Sequence, residues 1–435
     1  DTPSSFNAET GVTLATQIND MATFNGSSFT TAYNSVFLRK NFTVTGAIPR
    51  ALVLRVMRNV KGAGDLDMVC AWYVLAAKYM HKAQWHHDTL FGLADAQQPA
   101  EPATPFGLAA KSMASLTGTE PELPRCGFVS TNSVVQGEQV GVLWSYLQSQ
   151  GVQIQFAHRS FKWSNEARGK AAVHCVIIGF GLQDKRPKQL FHYETVTSEP
   201  MLTLVNNINP YLVDAPTVLL EKRRTPINQV PEMVYGSKPT DGGYLFLDEE
   251  SRAKLWVDEP EAALWIRPFL GADEFINGIQ RWCLWLVDCP PQTLRKMPQV
   301  MKRVQAVKEM RLKSTDKQTI ADAAKPAEFQ KIRQPDSGHY LLVPLHSSEN
   351  RAFIPIGFCD ANVICGNANA MVPNATLYHF GIMTSSMHNA WMRATCGRLE
   401  SRYRYSAKIV YNNFPWPDLP EPATRSGTDT GTSTG

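Results

Sequence analysis

Apolar positions recur at three- and four-residue spacing through Leu66, Val69, Trp72, Tyr73, Ala76, Ala77 and Met80, a pattern that predicts an amphipathic helix over 65–82. The next strong signal is a short apolar run, Cys126-Gly-Phe-Val-Ser130, ending in polar residues as a buried strand does when its carboxyl end faces a site. Helical spacing returns over 137–150, a strand pattern over 152–157, and a β-branched run over 171–180. Strand, helix, strand alternation of this kind predicts an α/β fold with a mostly parallel sheet flanked by helices. Ligands of such sheets bind beyond the carboxyl ends of the strands, so Ser130, Thr131, Asn132 and Ser133 fall where a site would lie.

The texture differs elsewhere. Residues 1–46 are rich in Thr, Ser and Asn with weak periodicity, and 83–124 carry the Pro, Ala and Gly of a long surface connection or insertion. After about residue 200 the prolines at 210, 216, 226, 231 and 239, followed by Asp241-Gly-Gly243, mark a boundary. Beyond it come Trp-rich and basic segments, with a helix predicted over 301–311. The Thr-, Gly- and Ser-rich tail from Glu421 is expected to be disordered.

Composition narrows the class. The 435 residues leave room for two or three domains, and 43% hydrophobic with 19% charged residues describes a globular chain. No stretch of about 20 apolar residues could span a bilayer, and residues 1–30 have no basic start followed by an apolar core, so a cytoplasmic location is expected. The chain begins at Asp1 rather than Met and is expected to be a fragment or a processed piece. Eight cysteines without a Cys-x-x-Cys pair argue against zinc and against a disulfide framework. The net charge of +4 says little, but residues 295–333 hold eleven Lys or Arg against four acids, Glu309, Asp316, Asp322 and Glu328. That local excess could follow a phosphate backbone, or could be an ordinary solvated helix face.

Three blocks carry a more specific signal: Phe128-Val-Ser-Thr-Asn-Ser-Val-Val-Gln-Gly-Glu-Gln-Val-Gly-Val-Leu-Trp144, Phe161-Lys-Trp-Ser-Asn-Glu-Ala-Arg-Gly-Lys-Ala-Ala-Val-His-Cys-Val-Ile-Ile-Gly-Phe180, and Tyr403-Arg-Tyr-Ser-Ala-Lys-Ile-Val-Tyr-Asn-Asn-Phe-Pro-Trp-Pro417. They resemble the MmeI-like, class I S-adenosylmethionine-dependent DNA adenine methyltransferases, and the resemblance runs from 61 to 417 apart from the insertion at 83–124. It implies a partial Rossmann-like methyltransferase sheet with helices over 1–205, with 1–56 atypical. A DNA target recognition domain of α+β type follows over 206–410, and 411–435 begin a C-terminal region. The implied reaction is methyl transfer from S-adenosylmethionine to adenine N6 in duplex DNA, in a restriction-modification system. An upstream nuclease and the N-terminal half of the methyltransferase domain are possible companions.

Such enzymes extrude the target base from the duplex and stack it in a pocket, so catalysis is chiefly positioning. The resemblance places an Asn-Pro-Pro-aromatic clamp shortly before Lys61-Gly-Ala-Gly-Asp-Leu-Asp67. The chain has Thr45-Gly-Ala-Ile-Pro-Arg50 there, in which Pro49 survives without the amide acceptor or the aromatic ring. A one-nucleotide frame error would account for this, as would a diverged, inactive site. Residues 1–60 also lack a clustered-glycine cofactor turn, since their glycines are Gly11, Gly26 and Gly46. By resemblance Asp67, Trp72 and Tyr73 line the cofactor and base pockets, and Trp163 stacks on the base; plain helix-to-sheet packing is the competing reading of Trp72 and Tyr73, and a structural contact that of Trp163. The chain therefore reads either as a methyltransferase or as a DNA-binding or specificity module without catalysis.

The second half resembles the recognition domain through Gly271-Ala-Asp-Glu-Phe-Ile-Asn-Gly-Ile-Gln-Arg-Trp-Cys-Leu-Trp285, Ser347-Ser-Glu-Asn-Arg351, Ser385-Ser-Met-His-Asn-Ala-Trp391 and Gly397-Arg-Leu-Glu-Ser-Arg-Tyr-Arg404. Arg reads guanine and Asn reads adenine in the major groove, which makes Arg351, Asn369, His388, Asn389, Arg393, Arg398, Arg402 and Arg404 the candidates for DNA contact. For each Arg a phosphate contact is the more common role.

Overall fold

The computed structural model describes residues 35–36, 56–90, 124–162, 174–195, 197–399 and 401–418. Pro49 and Trp163 therefore lie outside the described residues, as do 1–34, most of the 83–124 insertion and the tail.

The apolar stripe read from 65–82 folds as helix α1, Cys70–Leu90, which buries Tyr73, Val74, Ala77 and Met80. It starts later than its periodicity suggests because the preceding Gly62 takes φ +83° and a 3-10 turn, Ala63–Asp65, occupies the entry. Around it lie β1 (Ser35–Val36), β2 (Arg125–Thr131), α2 (Gly137–Ser149), β3 (Gln153–Lys162), β4 (His174–Gly181), β5 (Lys188–His192) and β6 (Met201–Val205). The six strands form one sheet in the order β1-β2-β4-β3-β5-β6.

The sheet is mixed, which corrects the expectation of a mostly parallel one. β1 runs parallel to β2 and β3 to β5, whereas β2–β4, β3–β4 and β5–β6 are antiparallel. Parallel neighbours need a crossover of a dozen or more residues. The stretch joining β5 to β6 is too short for one. Tyr73 is the centre of the core between α1, α2 and the sheet: its ring stacks on Phe180 at 5.4 Å and meets the edge of Phe128 at 5.1 Å. Trp144 of α2 is equally buried, and its indole donates to the Val134 carbonyl at 2.9 Å.

Beyond the proline-marked boundary the elements shorten: β7 (Val234–Tyr235), β8 (Phe246–Leu247), α3 (Glu249–Asp258), β9 (Ile266–Leu270), α4 (Ala272–Asn277), β10 (Trp282–Leu284), α5 (Pro291–Arg295), α6 (Pro298–Leu312) and α7 (Lys317–Ala321). They are followed by β11 (His339–Pro344), β12 (His346–Ser347), β13 (Gly357–Asp360), β14 (Ile364–Cys365), β15 (Asn369–Pro373), α8 (Leu377–Met383), α9 (Ser386–Thr395), β16 (Gly397–Leu399) and β17 (Arg402–Arg404). Three small sheets result, ordered β14-β9-β10-β8, β13-β11-β15-β7 and β12-β17-β16. A π-helical turn, Ala407–Tyr411, closes the segment, and Tyr411, Phe414 and Trp416 are buried in the same cluster as Leu341, Val343 and Val372.

Candidate functional site

Because β1 and β2 are parallel, their carboxyl ends share one edge of the sheet. At that edge Ser130 is buried, and its hydroxyl lies 2.8 Å from the Tyr73 phenol. Burial raises the Tyr73 pKa, so the phenol stays protonated and acts as a hydrogen-bonding wall rather than a base. Asn132 donates to Ser160 at 3.3 Å, tying the edge to β3. Opposite, the 61–67 turn is held by the first turn of α2. Gln139 donates to the Asp67 carboxylate at 2.6 Å and accepts from the Asp67 amide at 3.1 Å and from the Cys70 thiol at 3.2 Å. Burial, with the neighbouring Asp67 charge adding to it, pushes the Cys70 thiol up to about 12, so it is no nucleophile at neutral pH. Of the three residues assigned to cofactor and base pockets, Asp67 and Trp72 are exposed at this edge, while the Tyr73 side chain lies wholly in the core. Gln139, which the sequence reading did not single out, is the residue that fixes Asp67.

On the outer strands His158 stacks on Phe191 at 4.1 Å, its Nδ1 is 2.9 Å from the Tyr193 hydroxyl, and Tyr193 stacks on Phe161 at 5.3 Å. This aromatic file leads along β3 towards position 163. Among the described residues no group of three or more His, Cys, Asp or Glu could hold a metal ion, and all eight cysteines are free thiols.

The second candidate surface is the β12-β17-β16 sheet. Alternation along β17 turns Tyr403 inward and leaves Arg402 and Arg404 exposed. His346 pairs opposite Arg404, and burial followed by the two arginine charges lowers its pKa, keeping it neutral beside them. Arg398 lies over the Tyr403 ring at 4.0 Å and donates to the Ser401 carbonyl at 2.9 Å. Arg351 is exposed on the adjoining loop, and Arg393 donates to the Ala352 carbonyl of that loop.

The remaining candidates are not brought to this surface. Asn369 is fully buried and donates to the Leu270 carbonyl at 2.8 Å. Asn389 is fully buried, accepting from the Ile354 amide at 2.9 Å and donating to the Ser385 carbonyl at 2.8 Å. His388 is fully buried with Nε2 at 2.8 Å from the Tyr405 hydroxyl, and burial lowers its pKa to about 4. The basic run also divides. Arg311 is completely buried and donates to the carbonyls of Pro239, Thr240, Asp322, Lys325 and Glu328, and Arg303 donates to those of Tyr244 and Phe246. Lys302, Lys308, Lys313 and Lys317 are exposed.

The structure thus offers two candidate surfaces, a sheet edge with a tethered loop and a separate segment that displays arginines from short strands. In comparison with known proteins, residues 108–192 match the DNA-methyltransferase domain of MmeI, and residues 214–418 match the MmeI target recognition domain. The chain is 46% identical to the Type IIL restriction-modification enzyme MmeI, solved in complex with DNA, with a TM-score of 0.72 over 85% of this chain and 44% of that one. It is 37% identical over 368 residues to DNA methyltransferase A of Bacillus subtilis (strain 168), covering 84% of this chain and 37% of the relative. The chain thus spans less than half the length of either relative. It belongs to the MmeI-like family of DNA methyltransferases with target recognition domains.

Proposed function

We propose that residues 1–205 are the C-terminal part of a class I, Rossmann-like methyltransferase domain, that residues 206–410 form a recognition domain, and that 411–435 begin a C-terminal region. In this reading the parent enzyme transfers a methyl group from S-adenosylmethionine to adenine N6 of duplex DNA, within a cytoplasmic restriction-modification system. The observation that carries it is the collinear match of both domains, joined to a first half in which Ser130 meets Tyr73 at a sheet edge and Asp67 and Trp72 are exposed at the entry to α1. Asp67 offers a hydrogen-bond acceptor and Trp72 an aromatic face, groups suited to an adenosyl moiety. The described residues offer no clustered-glycine turn for its methionine end, so they supply only one margin of a cofactor site. Tyr73 acts behind Ser130, while Pro49 and Trp163 remain assigned to the flipped base by resemblance. No helix among the described residues is long and apolar enough to cross a membrane.

On the recognition side Arg402 and Arg404 of β17 are the base-reading pair, with Arg398 packed beside them on Tyr403 and Arg351 and Arg393 on or against the adjoining loop. Asn369, His388 and Asn389 serve as its buried scaffold. A second reading, a DNA-binding module without catalysis, is favoured by Thr45-Gly-Ala-Ile-Pro-Arg50 where the base clamp belongs. Calorimetric titration of the purified protein with S-adenosylmethionine separates the two. Measurable binding supports the methyltransferase, and salt-sensitive duplex binding without cofactor affinity supports the module. Failure to bind duplex DNA at low ionic strength removes both.

A further inference from the structure

The stretch from Asn207 to Pro231 crosses from the six-stranded sheet to the recognition segment as an extended strap. Its main chain is gripped by the second half: Asn413 donates to the Glu221 carbonyl at 3.0 Å, Arg223 donates its amide to Lys408 and receives Asn412 at 2.9 Å, and the Ile227 amide donates to the Asn412 carbonyl at 2.9 Å. Both asparagines are buried. On the other side the strap touches the first half. A Cβ on Gly141 of α2 would lie 2.3 Å from the Leu220 carbonyl oxygen, so only glycine admits the strap there. Lys222, between the two gripped residues, extends its ammonium the opposite way, 2.6 Å from Glu138 in the first turn of α2 and 3.1 Å from Asp65.

Asp65 ends the 3-10 turn of the same loop that Gln139 ties through Asp67. Among ion pairs between described residues, those of Lys222 alone join the two halves. The ammonium bridges two carboxylates that would otherwise repel at the carboxyl edge of the sheet, and its backbone is fixed on both flanks, so pairing need order only the side chain. A lone exposed ion pair contributes little, but a bridging cation whose anchor belongs to another part of the fold couples that part to the loop and to α2.

Resting on the reading proposed above, we propose that Lys222 is a positioning residue: through the Asn412–Asn413 grip it transmits the seating of the recognition domain to the Gly62–Asp67 loop and the start of α2. The loop then holds its shape at the methyl-transfer edge only while the strap is docked. Although partial burial of the ammonium works against its charge, the hydrogen bonds it donates to Glu138 and Asp65 raise its pKa, so the bridge persists through neutral and mildly alkaline pH.

Amide hydrogen exchange on the full chain tests this. Lys222→Met should speed exchange across 62–67 by about five-fold, consistent with loss of a small ion network, and Lys222→Arg should restore it. Asn413→Ala touches neither the loop nor α2, yet should speed the same amides, and the Lys222→Met, Asn413→Ala double variant should add little more. In both single variants the β11 and β15 amides should keep their protection, showing that the recognition segment stays folded. Unchanged exchange at 62–67 in Lys222→Met, or an Asn413→Ala effect confined to 407–416, overturns the coupling. Duplex binding by the unmodified protein is measured alongside: its absence defeats the functional reading, whatever the exchange shows.

Discussion

At the scale of single residues the structure sorts look-alike side chains by burial. Eleven cations between 295 and 333 are equivalent in the sequence, yet Arg311 spends its guanidinium on five main-chain carbonyls and cannot meet a phosphate. His388 makes the same point and has a pH consequence. Burial lowers its folded pKa to about 4 from a value near 6.5 in the unfolded chain. The unfolded state therefore binds a proton first as pH falls, so the stabilisation is fully present above about 6.5 and is lost as pH drops towards 4. The melting temperature should fall between pH 6.5 and 4.5 by an amount equivalent to about 2 kcal/mol, and His388→Phe should flatten that slope while lowering stability at pH 7. A slope unchanged by the substitution would place the titration elsewhere.

At the scale of elements, packing at glycines separates the two halves' junction from ordinary surface. Gly141 faces the Leu220 carbonyl, whereas a Cβ on Gly381 in α8 would meet nothing within 4 Å. Gly141→Ala should destabilise by about 1–3 kcal/mol because the strap must shift, and Gly381→Ala should be neutral or stabilising by up to about 1 kcal/mol because it removes unfolded-state freedom in a helix. Urea melts followed by tryptophan fluorescence compare them directly. The elements themselves were largely legible: the apolar stripe of α1, the β-branched run of β4 and the helices α2 and α6 all fall where periodicity puts them. Strand direction was not legible, because periodicity fixes which face a strand buries and says nothing of its neighbour's polarity. The short, irregular strands of the recognition segment have too few residues to show a period at all.

For the whole molecule the proposed DNA grip makes a salt prediction. The exposed Lys302, Lys308, Lys313 and Lys317 lie along one basic stretch, and each phosphate contact contributes roughly one unit to the slope of log affinity against log salt. Lys302→Ala should weaken binding to every duplex alike and reduce that slope by about one. Arg402→Ala should instead relax preference at one base pair, at a cost of about 1–3 kcal/mol for the preferred site. Fluorescence anisotropy on matched and scrambled duplexes distinguishes the two behaviours; identical effects from both substitutions would show that Arg402 also meets only phosphate.

The sequence alone determined the family, the order of the main helices and strands, and the set of basic and amide side chains from which a DNA surface is drawn, because motifs and periodicity are local properties. Which of those side chains face outward was decided only in three dimensions. Asn369, His388 and Asn389 turn inward and Arg402 and Arg404 turn out because strand pairing and core packing between residues far apart in the chain leave each a single side. Lys222 and Gln139 show the same limit from the other direction: Lys222 lies in no quoted motif and Gln139 sits unremarked inside one, and their importance comes from the loop that folding carries to them.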